Sequence, residues 1–102
     1  MIRNIRTVVV REDKMGQFKA WAKSYVAYAN DRWPTLNGQG FYQRFDVPEV
    51  TWYFMGDHAD LAAFDAWLQE TAADDGLNKL MEKMPADVLV EGGGGLVLLQ
   101  SV

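Results

Sequence analysis

The sequence predicts one α+β domain with the ferredoxin-like βαββαβ order of elements. Three observations lead to this prediction: apolar runs near both ends of the chain, two stretches with helical periodicity, and an aromatic hairpin pattern between them. In this fold four strands form an antiparallel sheet, and the helices lie on one of its faces. We expect residues 1–102 to form a single domain, since this length suits one hydrophobic core.

The first half of the chain predicts a strand followed by a long helix. Residues 5–10 (Ile-Arg-Thr-Val-Val-Val) form an apolar, β-branched run that indicates a strand with both faces covered. Residues 14–31 have the spacing of a helix, and Pro34 ends it. Trp21 and Tyr28 form a second apolar line, which is more than a simple surface helix needs. The main helical face consists of Met15, Phe18, Ala22, Tyr25, Val26, Ala29 and Trp33.

The second half predicts a hairpin, two helices and a last strand. Residues 41–47 and 50–55 alternate aromatic with other side chains and are joined by a short link, as hairpin arms are. Residues 56–60 form a loop with acidic capping residues. A short third helix is expected over residues 77–84, and a strand over residues 96–100. The apolar face of the second helix consists of Leu61, Phe64, Trp67 or Leu68, and Ala72.

Four consecutive glycines, Gly92 to Gly95, precede the last strand. A phosphate-binding loop would need a lysine and a hydroxyl residue directly after the last glycine, whereas Leu96 and Val97 follow here. A dinucleotide-binding loop would need a helix at this point, and a strand is expected instead. The glycines therefore predict a tight turn, a bulge or a close approach of two backbones.

The predicted strands are apolar on both faces, although the helices can cover only one. If the second face met water, each large apolar side chain on it would forgo roughly 1.5–3 kcal/mol of burial. Pairing of the sheet with a second copy of the chain would cover this face. We therefore expect a homodimer.

Composition excludes several classes of function. The net charge of −4 disfavours binding to nucleic acid or to an anionic membrane. The absence of cysteine excludes disulfides, thiolate metal sites and a cysteine nucleophile. The first ten residues resemble neither a signal peptide nor a membrane span, so a cytoplasmic location is expected.

Two segments of the chain resemble a known superfamily. They are residues 7–18 (Thr-Val-Val-Val-Arg-Glu-Asp-Lys-Met-Gly-Gln-Phe) and residues 55–64 (Met-Gly-Asp-His-Ala-Asp-Leu-Ala-Ala-Phe). With the length and element order, they are similar to the dimeric α/β-barrel superfamily, which holds antibiotic-biosynthesis-monooxygenase-like, EthD-like and NIPSNAP-like proteins. The resemblance implies a dimer with a pocket between sheet and helices. Members include cofactor-free oxygenases, haem-degrading enzymes, isomerases and proteins without assigned activity, and the glycine run departs from the pattern of any one subfamily.

The candidate catalytic residue is His58, the only histidine and the only side chain whose ordinary pKa lies near neutrality. It could act as a general base or as a ligand to haem iron, or it could be a residue of the loop and helix cap, and we expect it to be partly exposed. No metal site is expected, because His58 with Asp57 and Asp60 makes a poor ligand set. The candidate ligand-binding residues are Tyr25, Tyr28, Asn30, Trp33, Arg44, Phe54, Phe64 and Trp67.

The sequence is compatible with two hypotheses about function. The first is a small-molecule enzyme, a monooxygenase or isomerase without a cofactor, which acts on an organic substrate in an aromatic pocket. The superfamily resemblance, rather than residue spacing, supports this hypothesis. The alternative is a binding or structural dimer without catalysis, whose aromatic residues fill the core and the interface.

Overall fold

A computed structural model describes residues 1–43 and 48–102 of the chain. The elements follow one another in the predicted order, with a short 3₁₀ helix (Glu12–Lys14) before the first α-helix. None of the helices in these two stretches is long and apolar enough to cross a membrane. The elements are β1 (Ile2–Arg11), α1 (Met15–Arg32), β2 (Gln39–Tyr42), β3 (Glu49–His58), α2 (Leu61–Ala73), α3 (Asp75–Glu82) and β4 (Gly95–Gln100).

The four strands form an antiparallel sheet in the order β2-β3-β1-β4, which confirms the ferredoxin-like arrangement. Two strands are longer than predicted. β1 begins at Ile2, and β3 continues to His58 because Ile2 pairs with His58 and Asn4 with Gly56. Residues 56–58 therefore belong to a strand and not to the predicted loop. Residues 44–47 of the predicted hairpin lie outside the described residues.

The helices pack on one face of the sheet through the predicted apolar face of α1. Phe18 is fully buried there and contacts the rings of Trp52 and Phe54, with ring centroids 5.0 and 6.2 Å away. Val10 and Val88 are buried in the same cluster. The alternation along β1 decides which side chains join it, since even-numbered residues point toward the helices and odd-numbered residues away from them.

The second apolar line of α1 is explained by α3, which packs beside it. Trp21 Nε1 donates a hydrogen bond to the carbonyl oxygen of Leu80 at 2.8 Å. The Tyr28 hydroxyl donates to Asp74, whose other contacts are the Leu77 amide at 2.8 Å and the Arg32 guanidinium at 3.1 Å. Asp74 thereby caps the N-terminus of α3 and fixes it against α1.

The glycine run forms the tight turn predicted as one of its alternatives, since the Gly93 amide donates to the Val90 carbonyl oxygen at 3.3 Å and Gly92 has a φ of 76°. The segment before β4 pairs Leu89 with Val10, whereas β4 itself pairs Gly95 with Thr7, so extra residues loop out between the two pairings. A Cβ on Gly94 would lie 2.7 Å from the carbonyl oxygen of Thr7, closer than real Cβ atoms approach backbone. Glycine at this position allows the two backbones to approach each other.

The face of the sheet opposite the helices carries apolar side chains and is open. Val97, Leu99 and Phe41 on this face are between 48% and 52% exposed. Ile5 and Tyr53, nearer the middle of the sheet, are partly buried. We refer to these five residues as the outer face.

Candidate functional site

A cavity of about 490 Å³ lies between the helix-facing side of the sheet and the three helices. Such a position and volume are typical of small-molecule sites. The walls are mainly apolar, with methionines and leucines from α2, α3 and β4 completing them. The aromatic wall residues are Phe18, Trp21, Tyr25, Phe54, Phe64 and Trp67.

Three polar side chains stand out in this cavity. Asn4 and Arg6 lie two residues apart on the helix-facing side of β1, and Tyr25 comes from α1. Burial raises the pKa of the Tyr25 hydroxyl, and the positive charge of Arg6 partly offsets that rise. Tyr25 is therefore neutral at physiological pH, and it is close enough to Arg6 to feel its charge.

Asn4 is buried and is held by His58. The two side chains meet at 2.8 Å between His58 Nε2 and Asn4 Oδ1. Since a carbonyl oxygen only accepts, Nε2 carries the proton and donates it to Asn4 in this arrangement. Among the described residues, no hydrogen bond engages Asn4 Nδ2, so that amide group is left to donate to a ligand.

His58 itself is buried and does not line the cavity, although the sequence predicted partial exposure in a loop. Its ring packs on Phe64 and Trp67, with centroids 5.1 and 5.0 Å away. Burial lowers the pKa of His58, while the nearby charge of Asp57 acts in the opposite direction. The imidazole is thus kept neutral by its apolar surroundings.

Gly56 makes room for this arrangement. It pairs with Asn4 across the two central strands, and a Cβ there would lie 3.0 Å from Asn4 Oδ1. The same atom would be 2.6 Å from Leu36 Cδ1. A side chain at this position would therefore displace the Asn4 amide or the loop that covers it.

Four of the predicted ligand-binding residues line the cavity, namely Tyr25, Phe54, Phe64 and Trp67. The indole N–H of Trp67 is buried and has no hydrogen-bond partner among the described residues. The ring of Trp67 lies 6.0 Å from that of Trp33. The aromatic wall is thus continuous with the packing between α1 and α2.

Three further predicted residues do not line the cavity, because each makes a structural contact elsewhere. Tyr28 is bonded to Asp74, as described above. Asn30 holds the loop after α1 through two bonds to the backbone of Gly38, at 2.7 and 3.0 Å. Trp33 Nε1 donates to Glu70 at 3.1 Å. Arg44, the last of the set, lies outside the described residues.

The acidic residues beside His58 have structural partners. Asp57 is paired with Arg3 at 2.7 Å, and this hydrogen bond lowers the pKa of the Asp57 carboxyl. Asp60 caps α2 by accepting from the Ala63 amide at 2.8 Å. In residues 1–43 and 48–102, no three histidine, aspartate or glutamate side chains form a group that could hold a metal ion.

Sequence reasoning missed Asn4 and Arg6 as site residues. The signal was present in the alternation of β1, where Arg6 occupies the same side as Val8 and Val10. A cation on the side of a strand that faces the helices is unusual and marks a position worth attention, although the Arg6 side chain itself keeps contact with solvent. Asn4 could not be identified in this way, because the strand was expected to begin only at Ile5.

The chain has the fold of known solved structures, although no protein-family model matches it and no curated protein matches its sequence. An antibiotic biosynthesis monooxygenase is similar with a TM-score of 0.68 and 18% identity, covering 100% of this chain and 99% of that one. A NIPSNAP domain protein from Burkholderia xenovorans gives 0.75 and 14%, with 100% and 95% coverage. Protein Atu4242 from Agrobacterium tumefaciens gives 0.75 and 11%, with 100% and 94% coverage. These likenesses confirm the predicted fold and do not indicate a subfamily.

Proposed function

We propose that this protein binds a flat organic molecule in the cavity and acts on it as a cofactor-independent monooxygenase or isomerase. The observation that carries the proposal is the cavity of about 490 Å³, whose aromatic walls surround a few polar side chains. The similarity of the fold to that of an antibiotic biosynthesis monooxygenase also supports this proposal.

The chemistry that Asn4 supports is stabilisation of negative charge on a substrate oxygen. A ketone that gives an α-proton to a water molecule becomes an enolate, and the free Nδ2 group of Asn4 can donate to the enolate oxygen. The enolate can then react with dioxygen or take up a proton at another carbon. No carboxylate or imidazole lines the cavity within the described part of the chain, so the substrate has to be an easily ionised carbon acid.

In this proposal His58 is a positioning residue and not the base. Its hydrogen bond to Asn4 Oδ1 fixes which end of the amide faces the ligand. A general base, the role considered from the sequence, has to reach the substrate. His58 does not line the cavity, whereas Asn4, to which it is bonded, does.

The experiment uses 2-tetralone, a neutral aromatic ketone with acidic α-protons. Proton exchange is followed by NMR in D₂O, and oxygen consumption is followed with an electrode. We expect Asn4→Ala to slow either reaction by roughly a hundredfold, the usual effect of losing one oxyanion donor. Gln17→Ala is the control, because it removes an exposed amide on α1 outside the cavity. Binding of the ketone with neither exchange nor oxygen uptake would contradict catalysis and favour the non-catalytic binding dimer.

We also propose that the outer face is the interface of a homodimer. Its residues lie on both central strands and both edges of the sheet, so apolar side chains extend across the full width of this face, which also carries the Arg3–Asp57 ion pair. On monomeric proteins, contiguous exposed apolar patches rarely exceed a few hundred Å². A two-fold axis would pair this surface with itself and bury both copies.

Light scattering at micromolar concentration tests the dimer. Val97→Asp places a charge on the outer face and should shift the mass toward that of a monomer, because an unpaired charge in an apolar interface is strongly unfavourable. Val102→Asp is the matched control at the exposed end of the chain. A monomer mass for the unaltered protein would contradict the proposal.

A further inference from the structure

Arg6 lines the mainly apolar cavity and forms no ion pair with any described residue. It lies on β1 opposite Phe54 of β3 and Leu96 of β4, on the side that faces the helices. No aspartate or glutamate lines the cavity, and Arg6 makes no ion pair with any residue in the stretches 1–43 and 48–102. In contrast, Arg3 on the other face of the same strand is paired with Asp57.

The polar side chains around Arg6 add donors to the cavity. Tyr25 lines the same cavity as Arg6 and its hydroxyl makes no hydrogen bond to a described residue, while burial raises its pKa and so favours the protonated form. A protonated phenol donates readily to an anion. The net charge of the protein is −4, so the arginine in the cavity lining is not part of a general excess of positive charge.

We propose that Arg6 anchors a carboxylate, so that the ligand of this cavity is an aromatic carboxylic acid in its ionised form. This inference rests on the proposed function, because it assigns a substrate class to the same cavity. A guanidinium presents a planar set of donors that matches a carboxylate, and Tyr25 can donate to the same group. An aromatic ring attached to the carboxylate would contact the aromatic wall.

The placement of Arg6 relative to Asn4 gives the ligand an orientation. The two residues are separated by two strand positions, about 7 Å along β1. The carboxylate end would lie at Arg6, and the part of the ligand nearest Asn4 would carry the oxygen that this amide stabilises. β1 would thus carry both the anchoring group, Arg6, and the group that stabilises the reacting oxygen, Asn4.

The test compares 1-naphthoate with 1-naphthamide, a neutral compound of nearly the same shape, by isothermal titration calorimetry. Because Arg6 is exposed to solvent, which weakens a charge-assisted pair, we expect 1-naphthoate to bind only about tenfold more tightly than 1-naphthamide. Arg6→Gln should remove this preference and leave the affinity for the amide unchanged. Lys23→Gln is the control, since it removes an equal charge from the exposed surface of α1.

The outcomes separate the two proposals. Equal affinity for the two compounds would overturn the carboxylate anchor while leaving an organic ligand in the cavity. Failure of both to bind to the folded protein would overturn the anchor and contradict the binding part of the proposed function as well. A preference that survives Arg6→Gln would also overturn the assignment of Arg6. If that variant does not fold, the salt dependence of the unaltered protein decides, because the preference must shrink between about 20 and 500 mM salt if a charge pair causes it.

Discussion

Replacement of Gly94 by alanine should destabilise the protein, whereas replacement of the next residue, Gly95, should not. The added Cβ at Gly94 would lie 2.7 Å from the carbonyl oxygen of Thr7 and 3.9 Å from Val8 Cα. These are backbone atoms of a central strand, so they cannot move aside as the end of a flexible side chain could. Nothing lies within 4 Å of the corresponding position on Gly95.

The magnitude follows from the cost of forcing atoms into a packed site. Overpacking typically costs about 1–3 kcal/mol of the free energy of unfolding. For a chain of this length, each 1 kcal/mol lowers the melting temperature by about 4–8 °C. Gly95→Ala should stay within about 0.5 kcal/mol of the unaltered protein, as substitutions without a clash usually do.

Urea denaturation followed by tryptophan fluorescence measures both variants at one protein concentration. The expected result is a lower midpoint for Gly94→Ala with an unchanged slope, which indicates a change of stability alone. If the two variants unfolded at the same urea concentration, the close approach of Gly94 to β1 would not restrict the side chain at this position, and the explanation of the glycine run would be refuted.

Three further predictions concern the site and the helices. Burial lowers the folded-state pKa of His58 below its ordinary value of 6.5, so its contribution to stability is complete above about pH 6.5 and is lost as the pH falls through the folded-state pKa. Between pH 7 and 5 the melting temperature should therefore fall less in His58→Gln than in the unaltered protein, and equal falls would contradict this. Gly56→Ala should slow the reaction of 2-tetralone or weaken its binding by displacing Asn4, and kinetics and affinity identical to those of the unaltered protein would show that the amide needs no such space. Gly16→Ala, on the first turn of α1 with open space around it, should raise stability by about 0.5–1 kcal/mol in urea denaturation, and a lower midpoint would be the contrary result.

Local patterns were sufficient to predict the order of elements. The helical spacing from Met15 to Trp33 and the alternation in β3 are properties of neighbouring residues, and the structure contains both elements. Element ends were less accurate where distant pairing sets them. β3 continues to His58 only because residues at the start of β1 pair with it, and no local signal reports such a partner.

The sequence by itself determined the fold class, the apolar faces and the excess of apolar residues on both sides of the sheet, because these follow from periodicity and composition. It also held the signal for Arg6 in the alternation of β1. Only the tertiary structure decided which aromatic residues line the cavity and which fix the helices, as Tyr25 and Tyr28 show: both lie on α1, but one faces the cavity and the other bonds to Asp74. The physical reason is that a cavity and a hydrogen bond such as that between Asn4 and His58 depend on distances between residues far apart in sequence, and packing alone sets those distances.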